Sequence, residues 1–174
     1  MDIQFWIDNA DSLFHQIFMI VMGGLLGIAN LFGTTYNVIN ILVYYVLIPS
    51  SWVYLISRKT DKRINFISLG LLLSFIFLPN IRSNCDYFFQ KSVDFLNWTA
   101  DIFGSNYIDM SVYICVIVVG IIYLILIPLT LPKKITKIIL ITAGVMFGLY
   151  VLFIYPNFKD MLLQQLQNMK IINK

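Results

Sequence analysis

Long apolar runs alternate with short polar breaks along this chain, and the lengths of the runs decide what they can be. A helix needs about 20 mostly apolar residues to cross roughly 30 Å of hydrocarbon at a rise of about 1.5 Å per residue. Val38 to Ile56, Met110 to Leu131 and Ile135 to Tyr155 meet that length, the last with Lys137 close enough to its end to snorkel. Ile64 to Leu78 is shorter, but it is uncharged and follows Lys62-Arg63 directly, which predicts the return arm of a helical hairpin. Leu13 to Phe32 is long enough to cross, yet it contains His15, Gln16, Asn30 and the glycines Gly23, Gly24 and Gly27. Pro49 and Pro128 each delete one helical hydrogen bond and predict a bend or an end, with Ser50 and Ser51 within reach of the freed carbonyls.

A second pattern is an internal echo. Ala29-Asn30-Leu31-Phe32-Gly33-Thr34-Thr35-Tyr36 returns as Ala100-Asp101-Ile102-Phe103-Gly104-Ser105-Asn106-Tyr107, and each copy is followed by an apolar span, a basic turn and a second span. The exits also match, Phe77-Leu78-Pro79-Asn80-Ile81-Arg82 against Ile154-Tyr155-Pro156-Asn157-Phe158-Lys159. In the second copy, Asp86 to Phe103 reads as an amphipathic helix with Phe88, Ser92, Phe95, Leu96, Thr99, Ile102 and Phe103 on one face. Asp86, Gln90, Asp94, Asn97 and Asp101 fall on the other. Such a helix lies in the membrane interface. If the echo preserves topology, Leu13 to Phe32 lies in or dips into the bilayer from the same side instead of crossing it.

The pattern therefore predicts an all-α integral membrane protein forming a single membrane domain over 1–174. Two tandem units, about 3–82 and 83–157, each pair an interfacial or re-entrant helix with a transmembrane helical hairpin. An amphipathic helix over 158–174 closes the chain, with Met161, Leu162, Leu166 and Met169 as its apolar stripe.

Composition agrees. Hydrophobic residues make up 59% of the chain and charged ones 12%, against about 45–50% and about 25% in soluble domains. A surface that apolar excludes a soluble enzyme, a disordered regulator and a nucleic-acid-binding domain, and a net charge of +3 is too small and scattered for phosphate neutralisation. Distribution matters more than the total. Arg58, Lys59, Lys62 and Arg63 tip one hairpin, and Lys133, Lys134 and Lys137 tip the other, with Asp61 the sole acid among them. Basic loops stay in the cytoplasm, so the tips are expected there, in a bacterial inner membrane, with the interfacial helices and C-terminus on the outer face.

Chemistry-bearing residues are sparse. His15 is the one histidine, no Glu occurs, and the pairs Asp8/Asp11 and Asp94/Asp101 read as solvated faces. Cys85 and Cys115 form no disulfide framework, and no Lys-Ser or Lys-Thr follows the glycines of a phosphate loop. No catalytic residue, metal or cofactor is expected. Asn37, Asn40, Tyr44 and Tyr45 make the most polar stretch of the spans and are candidates for lining a cavity or meeting a partner helix. Gly23/Gly27 and Gly144/Gly148 have the spacing at which helix backbones approach closely, inside one chain or between chains. Trp52, Tyr54, Trp98, Tyr107 and Tyr155 are expected at the lipid interfaces. The functional expectation is an accessory, regulatory or immunity protein without catalytic machinery, whose partners are the bilayer and another membrane protein or a second copy of itself. A homo-oligomeric pore lined by the Asn/Tyr face, and a membrane subunit of a secretion or motility complex, are the alternatives.

Overall fold

The structure is a computed structural model that describes residues 12–77 and 79–161. Among these residues the regular elements are all helices. They are α1 (Leu13–Leu31), α2 (Tyr36–Ser57), α3 (Asn65–Ile76), α4 (Ile81–Phe103), α5 (Tyr107–Thr130) and α6 (Lys133–Met161). Four of them, α1, α2, α5 and α6, are long and apolar enough to cross a membrane. The expected return arm, α3, has 12 residues and reaches only about 18 Å. Asp8, Asp11 and most of the expected C-terminal amphipathic helix lie outside the described residues.

Local chemistry sets the helix ends. Gly33 and Gly104 both take the left-handed conformation, at φ 60° and 61°, which costs glycine nothing and ends α1 and α4 alike. At the first end the Thr34 N–H donates to the Ala29 carbonyl at 2.9 Å, and at the second the Ser105 N–H donates to the Ala100 carbonyl at 2.9 Å. Asn106 then caps α5: its side-chain oxygen accepts from the Asp109 N–H at 2.8 Å while its amide donates to the Asp109 carboxylate at 2.9 Å. That reciprocal pair satisfies an orphan donor and puts an acid at the positive end of the helix. α2 has no such side-chain cap at Thr35.

Three helices widen into π turns, at Leu42–Leu47, Tyr113–Val118 and Tyr150–Ile154. The first directly precedes Pro49, which has no N–H for the Tyr45 carbonyl. Ser51 does not answer that carbonyl; its hydroxyl donates to Ile48 O at 2.7 Å. The exit expected at Pro156-Asn157 is not a break either. The chain tightens to a 3₁₀ turn over Tyr155–Asn157 and continues as helix, because proline is tolerated where its missing N–H would be unpaired.

Packing joins the elements crosswise. α1 lies against the start of α2 and the start of α5, and α4 lies against the same two starts. Leu25, Ala29 and Ile39 form one buried cluster; Leu96, Ala100 and Met110 form another, and each of its members stands 71 positions after its counterpart. Val38 and Ile41 bury Cys85 against Phe75, Ile81 and Phe89. The second half of α2 packs on α3 and on the second half of α5. α6 stands apart, with none of its most apolar stretch buried inside the chain. It is tied to α1 by Gln16, whose amide nitrogen donates to Tyr155 O at 3.1 Å and whose oxygen accepts from the Tyr150 hydroxyl at 2.9 Å. Phe14 meets Tyr113 at 4.9 Å between ring centroids. Both halves of α1 thus touch the ends of α2, α5 and α6 that lie far from the basic tips.

α4 begins five residues before the expected Asp86, and only part of the apolar face that the pattern names is buried. Cys85, Leu96, Thr99 and Ala100 are buried, while Phe88, Phe95, Ile102 and Phe103 are exposed. The helix has three sides: one packed on protein, one apolar and open, and one bearing Asp86, Gln90, Asp94, Asn97 and Asp101.

Candidate functional site: a cavity between α1, α4 and the starts of α2 and α5

α1, α4 and the first halves of α2 and α5 line a partly open cavity of about 150 Å³. Both π turns that face it contribute to its wall, Tyr44 and Tyr45 from α2 and Cys115 and Val116 from α5. Among the described residues no Asp, Lys, Arg or His lines it. Of its 19 lining residues, 16 fall into eight pairs spaced 71 apart, among them Phe18/Phe89, Leu25/Leu96, Tyr36/Tyr107 and Asn40/Ser111. The aromatic walls match in the same way. Phe18 meets Tyr107 edge to face at 6.2 Å and 77°, and Phe89 meets Tyr36 edge to face at 5.6 Å and 86°. Each pair is worth roughly 0.5–1.5 kcal/mol beyond its burial, so the wall is stiff.

Polar groups are few and placed. The Asn40 amide donates to the Tyr36 hydroxyl at 3.2 Å, which leaves that hydroxyl's own proton free to donate. Tyr45 and Ser92 share a hydrogen bond at 2.7 Å between α2 and α4. Ser111 donates to its own helix at Tyr107 O, 2.7 Å away. Further along α2 and α5 the space closes, where Ser51 and Tyr123 hydroxyls meet at 2.5 Å and the Trp52 ring packs edge to face on Tyr123.

Three of the four polar candidates from the sequence, Asn40, Tyr44 and Tyr45, line this cavity. Asn37 does not; it faces α4 and donates to the Asp86 carboxylate at 2.7 Å. The residues that periodicity missed are those of α4 and α5, especially Phe89, Ser92 and Tyr107. The 71-residue echo is the signal that reaches Tyr107 from Tyr36. Of the aromatics expected at the interfaces, Trp52 has an indole N–H that is buried without a hydrogen-bond partner, and Tyr107 lines the cavity. Trp98 and Tyr54 are exposed, as lipid anchors are.

A methyl placed on Gly23, Gly27, Gly144 or Gly148 would meet nothing within 4 Å. Among the described residues their spacing therefore makes no close helix crossing. At the first basic tip the turn is built by Asp61, whose carboxylate accepts from the Arg63 N–H at 2.9 Å and whose carbonyl accepts from the Ile64 N–H at 3.0 Å. Ser57 braces it, with its hydroxyl between Tyr54 O and the Asn65 side chain. Lys133, Lys134 and Lys137 open α6. Cys85, outside the spans, is fully buried, and burial with the neighbouring Asp86 pushes its thiol above the ordinary range. Among the described residues no three His, Cys, Asp or Glu side chains come together as a metal site would require.

No protein-family model matches the chain, no curated protein matches it in sequence, and no solved structure matches it in fold.

Proposed function

We propose that this chain is a membrane accessory or regulatory protein that acts by binding, with α6 as the helix that docks on a membrane partner or on a second copy. The observation that carries the reading is α6 itself. It is a span whose apolar stretch is unburied within the chain, and it bears Gly144 and Gly148 on open backbone. Small residues four apart let two helices approach closely enough for van der Waals contact to outcompete lipid.

The architecture belonging to this reading is a pair of matching units. Its support is the set of features repeated at a spacing of 71: the glycine ends of α1 and α4, the two buried clusters, the π turns six residues into α2 and α5, and the reciprocal ring pairs. In this arrangement α1, like α4, lies at one face of the bilayer. That is supported by Gln16 and Ala29, near opposite ends of α1, both meeting the bundle end remote from the basic tips. Seven of the twelve basic residues sit on the two tips, which orients the tips to the cytoplasm and the cavity outward.

A pore assembled from several copies is the second reading, and the geometry favours it less. The Asn/Tyr face that would line a shared conduit already has partners within the chain, with Asn40 on Tyr36 and Tyr45 on Ser92.

The test is recovery of the chain from its native membrane in mild detergent, as wild type and as Gly144→Ile with Gly148→Ile. The wild type is expected to retain one specific membrane protein or a second copy, and the variant to lose it while keeping its helicity. Retention by the variant, or a wild type that is monomeric and alone, refutes the reading.

A further inference from the structure

Building on the paired-unit reading, we infer that the cavity is a binding site for a neutral, flat, ring-sized molecule with hydrogen-bond acceptors at opposite edges, the chemistry of a lipid-soluble para-quinone. Four observations lead there. Among the described residues the lining has no charged side chain, and a charge placed in such a wall would be left without a partner, so the ligand is neutral. The volume, about 150 Å³, is that of an apolar cavity that takes a single benzene ring. The walls are aromatic and held in two reciprocal edge-to-face pairs, Phe18 with Tyr107 and Phe89 with Tyr36, which favours a flat guest.

The fourth observation sets the pattern of acceptors. Tyr36 and Tyr107 are counterparts at the spacing of 71 and are the one lining position that is tyrosine in both halves, since Tyr44 and Tyr45 are matched by Cys115 and Val116. Asn40 donates to Tyr36 and thereby frees the Tyr36 proton for a guest. A guest that satisfies both halves at once carries an acceptor at each end of a ring, as the two carbonyls of a para-quinone do. An acyl chain has no acceptor for either hydroxyl, and an anionic headgroup has no cation here.

The experiment measures binding of duroquinone, a tetramethyl para-quinone, to the chain in lipid nanodiscs, as the excess over empty nanodiscs. Durene, the same ring and methyls without the carbonyls, is the comparison. One duroquinone per chain is expected, bound about tenfold more tightly than durene. Tyr36→Phe and Tyr107→Phe are each expected to weaken duroquinone severalfold, and the double variant to bring it to the affinity of durene with helicity unchanged. Equal binding of durene and duroquinone, no saturable excess, or a loss confined to one of the two tyrosines overturns the proposal. Docking through α6 is read separately in Gly144→Ile, since no α6 residue lines the cavity, so either idea can fail while the other stands.

Discussion

Gln16 offers a direct measure of where α1 lies. Its side chain is 2% exposed, and it holds α6 through the Tyr155 carbonyl and the Tyr150 hydroxyl. Interhelical hydrogen bonds in membranes average about 0.6 kcal/mol and reach about 1.7 kcal/mol, because the alternative state also finds partners. Gln16→Leu keeps the volume and removes both bonds, so the expected loss is about 1 kcal/mol, with a ceiling near 3 kcal/mol. Tyr150→Phe removes one bond and is expected to cost about 0.6 kcal/mol. The two changes share a bond and are therefore not additive. A double-mutant cycle is expected to return a coupling of at least about 0.5 kcal/mol, above the roughly 0.3 kcal/mol scatter of independent sites. The assay is unfolding by SDS in mixed micelles, followed by tryptophan fluorescence, with the exposed Met146→Leu as a control expected to change nothing. If α1 crossed the bilayer as the first arm of a hairpin with α2, Gln16 would sit at the level of the basic tips, more than four turns from Tyr150. A coupling indistinguishable from zero would show that geometry and refute the one-sided placement of α1.

Two further predictions use the same unfolding assay. Gly33→Ala and Gly104→Ala are each expected to destabilise by about 1 kcal/mol and to add when combined, since the cost is the left-handed backbone alone. Gly23→Ala, in equally open space but ordinary helical backbone, is expected to stabilise by up to about 1 kcal/mol, so φ and not crowding decides the sign. Cys85 has a thiol held protonated by burial and Asp86; in a Cys115→Ser background it is expected to resist maleimide at neutral pH until SDS unfolds the chain. As pH rises past the ordinary thiol range, about 8.5, the unfolded chain loses this proton first, so stability is expected to fall there. Labelling of the folded protein along an ordinary thiol titration would contradict that burial.

What the chain determines by itself is its solvent. Run length, the scarcity of charge and the grouping of Lys and Arg at two turns are enough for a helical membrane protein, because each of these is a local property weighed against water. The glycine ends of α1 and α4 were also legible, since the echo of Phe-Gly carries its own backbone requirement. Asn40, Tyr44 and Tyr45 stood out as polar groups in an apolar run, and they do face the cavity.

The tertiary structure decided which apolar side meets protein. The sequence pattern put Phe88, Phe95, Leu96 and Ile102 on one apolar face of α4, and the structure divides it: Leu96 is buried, as are Cys85 and Ala100, whereas Phe88, Phe95 and Ile102 stay open. Trp52, on Tyr123, and Tyr107, in the cavity wall, likewise have protein contacts that the pattern did not name. In water a hydrophobic stripe points to the core, because burial is its one escape from solvent. In a bilayer the lipid tails are as apolar as the core, so the stripe is satisfied on either side. Small residues, shape and a few hydrogen bonds then choose between them, and those choices exist only once α1, α2, α4 and α5 are brought together around the cavity.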